Sequence, residues 1–123
     1  MECMLMFYES ADGFAQRTDG RAPEIWAGWM AYVGALHGSG LVKSGAGLQP
    51  PSMATTLTLR GGERHVQDGP FADAKEQLGG FFVIEVPDLD AALDWAARAP
   101  CAVDGRVEVR PVLPPPGAPG APM

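Results

Sequence analysis

Long apolar runs are missing from these 123 residues. No stretch approaches the roughly 20 consecutive apolar residues of a membrane-spanning helix, so no membrane partner is expected. Cysteine is scarce, with Cys3 and Cys101 alone and no CxxC pair. A disulfide scaffold carries more, so both thiols are expected reduced and half buried. Basic residues are few: nine Lys and Arg stand against fifteen Asp and Glu, a net charge of −6. An acidic surface repels phosphate backbones, which argues against direct nucleic-acid binding. Histidine occurs twice, as His37 and His65, at unrelated positions. A metal centre needs convergent ligands, so neither a metal nor a cofactor is expected. The start, "MECMLMFYES", places Glu2 where a signal peptide needs basic residues, and a cytoplasmic location is the simplest expectation.

What is present reads as one domain. The hydrophobic fraction, 46%, suits a globular chain, and the length suffices for a real core. "CMLMFY" (3–8) and "GFFVIEVP" (80–87) are continuous apolar runs of strand length. Such runs point to strands with apolar residues on both faces. "ESADGFAQRTDGRA" (9–22) is polar and rich in turn residues, and reads as a loop. Pro23 then opens a helix in which Ile25, Trp29, Val33 and Leu36 recur at helical spacing, with Trp26 and Met30 widening the stripe. "LVKSGAGLQPP" (41–51) gives a short irregular strand closed by Pro50-Pro51. "ATTLTLRGGERHVQDG" (54–69) reads as a hairpin, with Gly61-Gly62 supplying the positive φ of its turn. Asp88 caps a helix that carries Leu89, Ala92, Leu93 and Ala96 on one face, and "VEVRPV" (107–112) alternates as a last strand. "PPPGAPGAPM" (114–123) has nothing to bury and is expected to be a disordered tail after a 1–113 domain.

The order β-α-β, hairpin, β-α-β is that of an α+β, ferredoxin-like βαββαβ sandwich with an inserted β-hairpin. Its two middle strands would be 3–8 and 81–86, the two runs greasy on either side. Phe81 and Val83 would face one side, Phe82 and Ile84 the other. Two helices cover only one face, so the other calls for a partner, and a homodimer stacking two sheets is the economical one.

The blocks "GLQPP", "TT", "DGPF", "KEQLGGFFVIEVPDLDAALDWAAR" and "VEVRPV", in that order, resemble the YCII-related family in its DGPF-domain branch. The resemblance implies a ferredoxin-like fold of the dimeric α+β barrel type and a small-molecule-binding or enzymatic role. It also implies a regulatory association with extracytoplasmic-function sigma factors, near which some members are encoded. Shorter members carry a helix His and a later Asp suspected of acid–base work. Here Trp29 stands near where that His would lie, and Asp68 is the best match to the Asp.

The candidate residues admit two readings. Asp68 is either a general base or ligand anchor, or the Asx-turn residue that its place before Gly69-Pro70 favours. "FADAKEQ" is rich in helix formers, so a helical turn with Asp68 near its N-cap is expected. Lys75 and Glu76 would assist catalysis or simply face solvent. Gly79-Gly80 lets this loop enter the central strand closely. Trp29 and Tyr32 are core residues that could also line an apolar ligand pocket, with Phe71 as a plug under the loop. The leading reading is a small-molecule-binding or regulatory module. The alternatives are a small enzyme with Asp68 as its base and a pure protein-interaction domain. An enzyme should bring Asp68, Lys75 or Glu76 together on a concave pocket.

Overall fold

The computed structural model describes residues 1–118. Four strands form one antiparallel sheet in the order β2-β5-β1-β6: β1 (Glu2–Ser10), β2 (Val42–Gly47), β5 (Glu76–Glu85) and β6 (Arg106–Pro111). A separate hairpin, β3 (Thr55–Arg60) and β4 (Glu63–Asp68), is inserted between β2 and β5. Helices α1 (Ala11–Ala15), α2 (Ala22–Gly38) and α3 (Leu89–Ala97) complete the α+β arrangement. With the hairpin set aside, this is the ferredoxin-like βαββαβ order, and the two apolar runs are its central strands.

Register sorts their side chains. Cys3, Leu5 and Phe7 pair with Ile84, Phe82 and Gly80 on the inner face, and with Pro111, Val109 and Val107 of β6. Met4 and Met6 pair with Val83 and Phe81 on the outer face. The inner face builds the core with Tyr32 and Leu36 of α2 and Ala92 and Ala96 of α3. Phe7 is its aromatic hub, edge-on to Trp29 at 5.3 Å, Tyr32 at 5.9 Å and Phe82 at 6.1 Å. Cys3 and Cys101 are buried outright rather than half buried, as free thiols. Burial pushes the Cys101 thiol up to about 12.

Several local expectations hold. The side chain of Asp88 accepts from the Ala91 amide at 2.9 Å and caps α3. Gly61 and Gly62 both take positive φ in the hairpin turn. Others are corrected. The segment 9–22 is not all loop: β1 runs on to Ser10, whose hydroxyl accepts from the Gly13 amide at 3.1 Å and starts α1. On α2 the buried residues are Tyr32 and Leu36, while Met30 is 73% exposed. On α3 the small Ala92 and Ala96 face the core, and Leu89 and Leu93 lean out. Residues 72–75 form no helical turn, because the Gln77 amide donates to the carbonyls of Ala72 and Ala74, at 2.7 and 3.0 Å, and holds them as coil. The tail expected to be disordered is not among these corrections: its residues 119–123 lie outside the described residues, and in the part before them the Ala118 amide donates to the Pro115 carbonyl.

Tyr32 ties α2 to α3 through its hydroxyl, which donates to the Trp95 carbonyl at 2.9 Å. Burial pushes its phenol up to about 12. An unfolded tyrosine ionises near pH 10. The stabilisation that follows from keeping the phenol neutral is therefore whole below about pH 10 and is lost as pH rises through about 12. Urea denaturation at about pH 9 and about pH 11.5 should show this loss, on the order of 2 kcal/mol, and Tyr32→Phe should reduce it. An unchanged loss in the variant would assign the alkaline sensitivity to Cys101, which titrates in the same direction.

Candidate functional site

The alternation of β1 that buries Cys3, Leu5 and Phe7 also turns Glu9 inward. Glu9 is 6% exposed, and it is the buried charged residue among the described ones. A lone carboxylate there would be costly. Its partner arrives eight residues later, where α1 folds the chain back so that Arg17 lies over Glu9. Nη2 of Arg17 donates to Oε2 of Glu9 at 2.7 Å and to the Gly79 carbonyl at 3.2 Å, and Nη1 donates to the Leu48 carbonyl at 2.6 Å. The guanidinium is packed over the rings of Phe14 and Trp26, at 4.8 and 5.8 Å from their centroids. The Trp26 indole in turn donates to the Arg17 carbonyl at 3.0 Å.

Gly79-Gly80 is explained by this pair. A Cβ on Gly79 would run into Oε2 of Glu9 and Nη2 of Arg17, and one on Gly80 would press the Ala46 carbonyl. The register slips here, with Phe7 opposite Gly80 and Tyr8 opposite Leu78, so Gly79 is the extra residue of a β-bulge.

Above the ion pair opens a cavity of about 560 Å³, between α2 and the edge formed by β2 and β5. Trp26, Trp29 and Val33 supply the helix wall, Phe7 and Phe82 the sheet wall, and Glu9 with Arg17 the polar end. The volume lies within the range of small-molecule sites, and the lining is mainly apolar with a few placed polar groups.

The sequence candidates fall around this cavity unevenly. Trp29 lines it. Tyr32 sits one step round the helix and faces the core. Phe71 does not plug the loop; it stands 88% exposed and does not line the cavity. Asp68, at the end of β4, and Lys75, just before β5, are exposed. In place of the expected Asx-turn at Asp68, Gly69 is held on both sides: its amide donates to the Ala54 carbonyl at 2.8 Å, and its carbonyl accepts from the Thr56 hydroxyl at 2.8 Å. Glu76 pairs with Ser10 in the register, on the face away from Glu9. Nε of Arg106 lies 3.2 Å from Oε2 of Glu76, but its N–H points to Oε1 at 3.3 Å, so Oε2 is buried without a hydrogen bond. Asp68, Lys75 and Glu76 are absent from the cavity lining. Among the described residues no group of three or more His, Cys, Asp or Glu could hold a metal ion, and no helix is long and apolar enough to cross a membrane. Glu9 and Arg17 were missed by the sequence reading, which ended the strand at Tyr8. The signal available was the period-two series 3, 5, 7, 9.

A one-sided α+β sandwich with a ring-walled cavity under its long helix defines a ferredoxin-like fold. A solved structure of that type, 5-chloro-2-hydroxyhydroquinone dehydrochlorinase from Burkholderia phenoliruptrix AC1100 in complex with 2,5-dihydroxybenzoquinone, superposes with a TM-score of 0.53 at 16% identity, over 91% of this chain and 93% of that one. The YCII-related domain model matches residues 1–115, and the chain belongs to the YCII-related family. An uncharacterized protein of Rhizobium meliloti (strain 1021) is 48% identical over 69 residues, which is 54% of this chain and 56% of that protein. The match thus spans little more than half of that relative's length.

Arg17→Met would leave Glu9 buried without its counter-charge. The expected loss of stability in urea denaturation is about 3–5 kcal/mol. Glu9→Leu in the same chain should recover most of it, because an apolar pair of similar volume needs no compensation. A single variant within experimental error of the parent would remove the ion pair from the account of the fold.

Proposed function

We propose that this protein is a small-molecule-binding module whose ligand occupies the cavity between α2 and the sheet. The observation that carries the reading is the buried Glu9–Arg17 pair set at the end of an otherwise apolar, ring-lined cavity. A core that needed only packing would fill such a space with side chains and leave no charge at its end. The enzyme of similar fold is recorded with a small cyclic ligand, which supports a ligand role for this architecture. The rival reading, acid–base catalysis by Asp68 with Lys75 or Glu76, has less support, since none of the three borders the cavity.

The unit proposed is a homodimer. Met4, Met6, Tyr8, Phe81 and Val83 form a half-buried apolar patch on the outer sheet face, opposite the face that the helices cover. The unbonded Oε2 of Glu76 lies at its end and supports the same reading, because a second copy could supply a donor. Two buried free thiols favour a reducing compartment, the cytoplasm. The association with extracytoplasmic-function sigma factors rests on the family resemblance alone.

Two measurements test these proposals. Val33→Trp grows a ring into the cavity from the half-buried flank of α2, and should weaken binding of small ring compounds at least about tenfold in calorimetry, with the melting temperature little changed. Unchanged affinity would move the ligand elsewhere. Val83→Lys places a charge between Met4 and Ser44 on the outer face, and should give a folded single subunit in sedimentation. A parent protein that already sediments as one subunit would refute the dimer.

A further inference from the structure

We infer that the cavity takes an uncharged ring compound bearing a hydroxyl group, and that Glu9 is the residue that receives the hydroxyl. The inference rests on the reading of the cavity as a ligand site. Its first support is charge. Glu9 and Arg17 are the ionisable residues among those lining the cavity, and they lie 2.7 Å apart. Their charges cancel. An anionic ligand would meet the carboxylate, a cationic one the guanidinium, and neither would find a free counter-ion away from bulk water.

The second support is the unused valence of the pair. Arg17 engages Oε2 of Glu9, whereas Oε1 accepts from none of the described residues and is not among the fully buried unpaired oxygens. An ionised carboxylate only accepts, so what reaches Oε1 must donate. Arg17 carries about five N–H donors, and the hydrogen bonds to Glu9, Gly79 and Leu48 occupy only part of that set. A hydroxyl group satisfies both residues, donating its proton to Glu9 and offering its oxygen to Arg17. The third support is shape. Trp26 and Trp29 on one wall and Phe7 and Phe82 on the other surround the space with aromatic surface, which suits a flat partner.

Calorimetry on the intact protein near neutral pH decides the matter, with hydroquinone, its dimethyl ether, para-hydroxybenzoate and tyramine as probes. Hydroquinone should bind most tightly. The ether, which cannot donate, should be about ten- to a hundredfold weaker, the range of a hydrogen bond to a charged group. The anionic and cationic probes should also be weaker, each by about tenfold or more. Glu9→Gln leaves the Arg17 charge uncompensated, so para-hydroxybenzoate should overtake hydroquinone in that variant. Equal affinity for hydroquinone and its ether would overturn the hydroxyl assignment and leave the cavity reading standing. Binding of no probe at all would overturn both. An unchanged order of probes in a folded Glu9→Gln protein would remove Glu9 from the role. If that variant does not fold, the comparison of hydroquinone with its ether in the parent protein decides alone.

Discussion

A carboxylate inside a core is tolerated only with its counter-charge in contact, and that constraint organises one whole corner of this protein. Glu9 is carried inward by the alternation of β1, so the chain must bring a cation back to it within a few residues. The short helix α1 does this, and its Ser10 cap starts the reversal one residue after Glu9. Arg17 then has to be held, which recruits carbonyls from Leu48 and Gly79 and the rings of Phe14 and Trp26. The start of α2, the exit of β2 and the middle of β5 thus meet at one guanidinium. Such a pair adds little net stability compared with apolar packing. What it supplies is a fixed geometry, with a polar end to a cavity that is otherwise hydrocarbon.

The second organising fact is that helices cover one side of the sheet. β1 and β5 are apolar on both faces because they are central, and only the inner row meets α2 and α3. The outer row of Met, Tyr, Phe and Val is left half buried in the single subunit. The cavity opens on the helix side of these strands and the outer patch on the other, with Phe81 bordering both at the sheet edge, so neighbouring residues of one strand serve different purposes. Phe82 walls the cavity from the inner row, while its neighbour Val83 belongs to the outer one.

Much of the fold was legible because its signals are local. Two apolar runs, a Gly-Gly turn, a proline at a helix start and an aspartate at a cap each declare themselves within a few residues. The element order then fixes which strands are central. The site was less legible. Glu9 follows an apolar run and looks like the end of a strand; only its parity with Cys3, Leu5 and Phe7 shows that it points inward. Its partner is Arg17, which also donates to the Leu48 and Gly79 carbonyls, and nothing in the sequence between them announces that they meet. Asp68, Lys75 and Glu76 drew attention because they crowd around a turn, yet charge density says nothing about the side of a strand on which a residue falls. Likewise α1 is too short, and too broken by Gly13, to show a helical period.

The slipped pairing at Gly79 has one further consequence. In a regular antiparallel ladder every carbonyl of a central strand is committed to a neighbouring strand. At the surplus residue that commitment is doubled: the oxygen of Gly79 accepts from the amide of Leu48, the residue that follows β2, and from Nη2 of Arg17 as well. Ironing the strand flat would withdraw the anchor that steadies the guanidinium. Here a tidier sheet would unseat the guanidinium, and the cavity would lose its polar end.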